Sequence, residues 1–239
     1  MNDATGLGTA VSRLHADIPV GPGLHGDLAV PGGAIGVTLF AHGSGSGRFS
    51  PRNRLVADAL NRRGIATLLF DLLTPGEEPK RSNVFDVDLL GERLELTTRW
   101  LLEHPLADGL APSYFGASTG AAAALVAAAS LGPLVRAVVS RGGRPDLAGA
   151  RLDRVVSPTL LIVGGHDELV LDLNRQACTR LSCPRQLVVV HRTGHLFEER
   201  GALERVAELT GDWLTRHFEE GAAGTGDLGE LEVEPVIDA

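Results

Sequence analysis

The chain has 239 residues, with 22 Lys and Arg against 30 Asp and Glu and a formal net charge of −8. That length suits one large α/β domain with a well-buried core, and an acidic chain whose single lysine is Lys80 argues against a nucleic-acid or anionic-membrane surface. The apolar runs, such as 37–40 and 68–70, are far too short to span a bilayer, and the first twenty residues lack a basic start followed by an apolar core; the chain reads as cytoplasmic.

Residues 12–30 read as two polar-edged strands joined by the Gly21-Pro22-Gly23 turn, an antiparallel hairpin suited to a sheet edge. Short apolar runs at 37–41, 66–71, 113–117, 137–140, 160–164 and 187–190, bounded by Gly, Pro or charge, predict strands covered on both faces. Between them, helical periodicity falls at 54–63, 87–102, 121–131, 171–181 and 198–218. Strand and helix in this alternation predict a mostly parallel sheet of about eight strands with helices on both faces. One domain over 1–220 is expected, followed by an acidic, glycine-rich tail at 221–239 with little to bury and an expectation of disorder. Cys178 and Cys183 lack the further Cys or His pair that a zinc site needs and read as ordinary thiols.

The sequence Gly116-Ala117-Ser118-Thr119-Gly120 matches G-x-S-x-G at the point where a predicted strand meets a predicted helix. In such an elbow the serine takes a strained backbone, the glycines let strand and helix pass closely, and the helix N-terminus favours developing negative charge. A serine hydroxyl needs a base to take its proton. His195, in Arg192-Thr193-Gly194-His195 after the 187–190 strand, fits the base; Asp167, in Gly164-Gly165-His166-Asp167 after the 160–164 strand, fits the acid. Glu168 is the competing acid. His191 and His195 form an H-x-x-x-H pair, but a helical metal site is not expected where a strand ends and Gly194 intervenes. The oxyanion donors expected are the N–H groups of Thr119 and of Ser44, the latter in the 41–47 loop AHGSGSG, with His42 buttressing that loop or touching substrate. The loop lacks the G-K-[ST] ending of a phosphate-binding P-loop.

Together, FAHGSGSGRFSPRNRLVADAL, YFGASTGAAAALVAAA, VVSRGGRPDLAG, LLIVGGHDELVLDLNRQA and GHLFEE resemble the α/β-hydrolase superfamily. Within it, the chain is similar to the dienelactone-hydrolase-like proteins that occur alone or fused to phosphoribosyltransferase domains. The resemblance covers nearly all of 14–218 and implies an α/β-hydrolase fold with a Ser118, Asp167, His195 triad and no cofactor. Dienelactone hydrolases proper use a cysteine nucleophile where this chain has Ser118, so their lactone is not carried over.

The expected activity is hydrolysis of small esters, thioesters or lactones through an acyl-enzyme on Ser118, with no metal. The alternatives are acyl transfer by the same triad and a weakly active binding or regulatory module. The stretch between the strands at 137–140 and 160–164 leaves little material for a lid, which favours a small or exposed acyl substrate. Arg141 and Arg144 in SRGGRPDL, with Arg48 and Arg52 beside the oxyanion loop, are candidates for a local anion site in an acidic protein. The competing expectation is that these arginines pair with acids such as Asp146 or lie solvated.

Overall fold

The computed structural model describes residues 11–19, 23–222 and 237–238. Two antiparallel strands, β1 (Val11–Ile18) and β2 (Leu24–Pro31), pair as expected of a hairpin, and the expected turn at Gly21 and Pro22 lies outside the described residues. Their outer-edge position is set by composition: β1 alternates exposed Arg13, His15 and Asp17 with buried Ala16 and Ile18, so only one face can be covered. Strands β3 (Val37–Ala41), β4 (Ala66–Phe70), β5 (Pro112–Ala117), β6 (Val138–Arg141), β7 (Thr159–Gly164) and β8 (Arg185–Val190) follow. β3 to β7 are buried along their whole length, as continuous apolar runs require. Among the described residues the sheet order is β1-β2-β4-β3-β5-β6-β7-β8, and everything from β4 onward in that order is parallel. A two-residue β9 (Ile237–Asp238) adds to β8. The expected tail thus begins inside the last helix, lies at 223–236 outside the described residues, and returns at the sheet edge.

The helices are α1 (Pro51–Arg62), α2 (Arg81–Val84), α3 (Val87–Leu102), α4 (Thr119–Leu131), α5 (Glu168–Arg180) and α6 (Ala202–Ala222). Local chemistry starts several of them. The Ser50 side chain accepts the Asn53 N–H with Pro51 at the first helical position of α1, and Asp86 accepts the Leu89 N–H at the start of α3. The four-residue α2 carries too few residues for a period to show, and the 3₁₀ segment Pro145–Arg154 is broken at Gly149 (φ 56°) and does not follow a 3.6-residue period, so the periodicity predicts neither.

The strands separate two apolar layers. Tyr114, Leu161 and Val163 face α3, α4 and α5, while Phe115, Val139 and Ile162 face α1 and α6 together with Phe40 and Phe197. α4 is buried at every position but Ser130, because alanine lets its neighbours come close. Gly91 of α3 makes the same allowance from the other side: a Cβ there would lie 2.6 Å from Val126 Cγ1. Between β6 and β7 only residues 142–158 intervene, folded as the 3₁₀ segment against α4 and α5, so this crossover holds no lid domain. Among the described residues no helix is long and apolar enough to cross a membrane.

Candidate active site

Ser118 caps α4 with φ 51° and ψ −120°, a left-handed backbone for a residue that carries a Cβ. The surroundings hold it there. Its N–H donates to Arg141 O at 3.2 Å, and its carbonyl accepts from Ala121 and Arg144, each at 3.1 Å. Two glycines make the turn sterically possible. A Cβ on Gly116 would sit 2.4 Å from Ala121 Cα, and one on Gly120 would sit 2.1 Å from Ala41 O. The strand, the helix and the end of β3 therefore meet at backbone distance around this serine.

Asp167 and His195 come from the loops after β7 and β8, at the same carboxyl edge of the sheet. His195 Nδ1 lies 2.6 Å from Asp167 Oδ2, while Glu168 is the exposed first residue of α5. The His195 side chain is 39% exposed. Ser118 and His195 both border the 141–142 turn: Ser118 donates to Arg141 O, and a Cβ on Gly142 would lie 3.6 Å from His195 Cε1. No hydrogen bond among the described residues joins Ser118 to His195 directly. The histidine loop is clipped by a group the sequence reading does not contain, Glu199, whose Oε1 accepts the Gly194 N–H at 2.9 Å. That bond holds the Glu199 carboxyl below its ordinary range.

The oxyanion loop packs directly on the serine, since a Cβ on Gly43 would be 3.1 Å from Ser118 Cβ. Thr119 is the first residue of α4, so its N–H has no acceptor within the helix. The Ser44 N–H, expected to be an oxyanion donor, donates instead to Thr119 Oγ1 at 3.0 Å in this conformation. His42 is buried with both ring nitrogens engaged. Nδ1 donates to Gly43 O and Nε2 accepts the Leu72 N–H, each at 3.0 Å, an assignment fixed by those partners. Burial lowers its pKa, consistent with a neutral ring that braces the loop and has no nitrogen left for substrate. Leu73, Glu78 and Val84, from the stretch between β4 and α3, cover the loop over a depression of about 20 Å³. A cavity of about 520 Å³ lies elsewhere, between the hairpin and α1; Ser118, Asp167 and His195 do not line it.

The candidate anion-site arginines separate. Arg48 donates its N–H to Asp71 Oδ1 at 2.8 Å and pairs its guanidinium with Asp71 Oδ2. Arg144 makes two 2.8 Å bonds to Asp146, which takes it out of the expected anion site. Arg52 reaches Glu198 Oε1 at 3.4 Å. Arg141 is 7% exposed, and its Nε has no partner. Burial first, and the charge of Arg52 second, push its pKa down to about 10, so the guanidinium stays charged at neutral pH.

Cys178 and Cys183 are free, and burial raises both thiols, so neither is an activated nucleophile. His15, Asp17 and His25 could share a metal ion, but they lie on the exposed hairpin, where each imidazole Nδ1 already meets a carboxylate.

A strand-to-helix elbow after β5, a histidine–aspartate pair from the loops after β7 and β8 and the observed strand order define the class, an α/β-hydrolase fold. The chain belongs to the dienelactone hydrolase family: it is 50% identical to a dienelactone hydrolase from Anabaena variabilis, with a TM-score of 0.84 over 86% of this chain and 98% of that one. The esterase Est1E from Butyrivibrio proteoclasticus shares the fold at a TM-score of 0.72 and 14% identity, over 87% of this chain and 99% of that one. A Mycobacterium tuberculosis protein provisionally named phosphoribosyl transferase is 58% identical over 193 residues, 81% of this chain. The chain spans 44% of the length of that curated relative. No protein-family profile matches the chain.

Proposed function

We propose that the chain is a serine hydrolase acting on small esters, thioesters or lactones. The observation that carries this reading is Ser118 at positive φ on a helix N-terminus, beside a His195–Asp167 pair 2.6 Å apart. With Nδ1–H held by Asp167, His195 Nε2 is the nitrogen left to accept the Ser118 proton. Oγ then adds to the substrate carbonyl, and the oxyanion forms against the Thr119 N–H. The Ser44 N–H becomes the second donor when it turns from Thr119 Oγ1 to the stronger, charged acceptor. His195 returns the proton to the leaving group, and a water deprotonated by the same nitrogen releases the acid and restores Ser118. The hydrolases and esterases among its structural neighbours support the reaction class. The site needs no cofactor for these steps.

A fluorophosphonate probe tests the reading in wild type, Ser118→Ala and His195→Ala, followed by turnover of a short-chain p-nitrophenyl ester. Labelling that disappears in Ser118→Ala and weakens sharply in His195→Ala, with turnover in wild type, is the expected result. Folded wild type that neither labels nor turns over ester would sink it. That outcome would put first the second reading, a weakly active binding or regulatory module with this fold.

A further inference from the structure

Away from the active site, the outward face of the β1–β2 pair gathers two histidines and two aspartates. The register sets His15 opposite Asp27 and Asp17 opposite His25, so the four alternate in a square with each imidazole facing a carboxylate across the strands. The other face fixes that square. Ile18, Leu24 and Leu28 are buried there, and a Cβ on Gly26 would lie 2.9 Å from Ile18 Cδ1 and 3.0 Å from Leu68 Cδ1. A slip of one residue would carry this apolar set to the outward face, so the backbone register holds the four polar side chains together.

Their hydrogen bonds leave a lone pair open on each ring. His15 Nδ1 lies 2.9 Å from Asp27 Oδ1, and His25 Nδ1 lies 2.8 Å from Asp17 Oδ1. An imidazole whose Nδ1–H is held by a carboxylate presents Nε2 as a donor of its lone pair, the arrangement that metal-ligating histidines use. The two rings are nearly parallel, 16° apart, with centroids 6.1 Å from each other. One ligand atom from each of His15, Asp17 and His25 already falls within 4.8 Å of the others. Zinc–nitrogen bonds of about 2.0–2.1 Å place tetrahedral donors roughly 3.3 Å apart, a closure that exposed side chains reach by changing rotamer on a fixed backbone. The charges nearby do not oppose a cation. Arg13, Arg48 and Arg54 approach this face, and each is met by a carboxylate: Asp58 at 3.8 Å, Asp71, and Asp27 at 3.7 Å. Asp17, with its side chain 85% exposed, has no arginine partner among the described residues and is the negative charge left over.

We propose that His15, Asp17 and His25 bind one divalent transition-metal ion of the zinc class, with Asp27 as the positioning residue that holds the His15 ring. Two imidazoles and one carboxylate suit zinc rather than magnesium or calcium, which take oxygen ligands, and water completes the tetrahedron. The ion ties β1, the outermost strand of the sheet, to β2 and stabilises the folded chain by mass action. No part of the triad enters this inference, so it stands or falls apart from the hydrolase reading.

The test uses the full chain without a histidine tag, stripped of metal by a chelator and then titrated with Zn²⁺ by calorimetry. One equivalent is expected to bind, and the thermal midpoint should rise with Zn²⁺ concentration while Mg²⁺ leaves it unmoved. His15→Gln and His25→Gln should each weaken the binding by about 100-fold or more. Asp27→Asn keeps an oxygen on the His15 Nδ1–H but makes the ring a weaker base, and should cost about 10-fold. All of these side chains face solvent, and midpoints measured without Zn²⁺ verify that the variants fold. Co²⁺ in place of Zn²⁺ should give the visible absorption of a tetrahedral nitrogen and oxygen site in wild type and not in the variant carrying both His15→Gln and His25→Gln. Absence of Zn²⁺ binding by wild type overturns the proposal. Binding of equal strength in the double variant overturns it as well, since the ion then sits on other residues.

Discussion

Ser118 and His195 are held by two different kinds of structure. The serine sits in a buried elbow where β5, α4 and the end of β3 touch backbone to backbone, and its left-handed φ is over-determined by packing. The histidine sits in a half-exposed loop fixed by two carboxylates, Asp167 on the ring and Glu199 on the Gly194 N–H. The elbow is positioned by volume and the loop by hydrogen bonds. Volume is hard to change without losing the fold, whereas hydrogen bonds can be edited while the fold stays.

Removing the reacting groups breaks the pair most completely. Ser118→Ala and His195→Ala should each lower kcat/KM by roughly 10,000-fold, measured on a p-nitrophenyl ester, with thermal midpoints close to wild type. Asp167→Asn edits the loop alone: the ring can settle in the wrong tautomer, so kcat should fall about 1,000-fold while the urea midpoint moves little. Gly120→Ala acts on the elbow, where the new methyl meets Ala41 O and His42 O. A loss of about 3 kcal/mol or more in urea unfolding is expected, and an unchanged midpoint would refute the packing account of the elbow.

Smaller effects sharpen the contrast. Tyr114 of β5 is fully buried with its hydroxyl 2.7 Å from Thr98 Oγ1, so Tyr114→Phe should cost about 1 kcal/mol and leave kcat alone. His42 should appear only as a slope in a plot of stability against pH. Burial keeps its folded pKa below the ordinary 6.5, so the unfolded chain takes up the proton first as pH falls. The contribution of the neutral ring is complete above pH 6.5 and is lost as pH drops through the folded pKa. Thermal midpoints of wild type against His42→Asn between pH 5 and 8 should show the flatter acid limb in the variant.

Much of the fold is legible because burial on both faces leaves a strand no choice but an uninterrupted apolar run. The predicted 37–41 strand and 87–102 helix coincide with β3 and α3. α4 begins at Thr119, two residues before the predicted start, because the elbow itself starts the helix and alanine periodicity cannot show where. α6 begins at Ala202 because residues 198–201 serve the histidine loop, with Glu199 bonded to Gly194. The hydroxyl of Thr119 facing the Ser44 N–H joins residues 75 positions apart, and neither side chain announces it.

What the sequence by itself determined is the order of elements and the chemical types at their ends: period-two and period-3.6 patterns are local, and so are the glycines that let a strand turn into a helix around Ser118. Only the tertiary structure decided which charges find partners. Arg141 and Arg144 stand three residues apart in one glycine-rich turn and look alike in the sequence. Arg144 leaves the turn and takes Asp146, while Arg141 is still on β6, lies over the face of Phe197 and has no carboxylate partner among the described residues. Ion pairing and desolvation depend on distance and burial, and both are set by elements far apart in the chain.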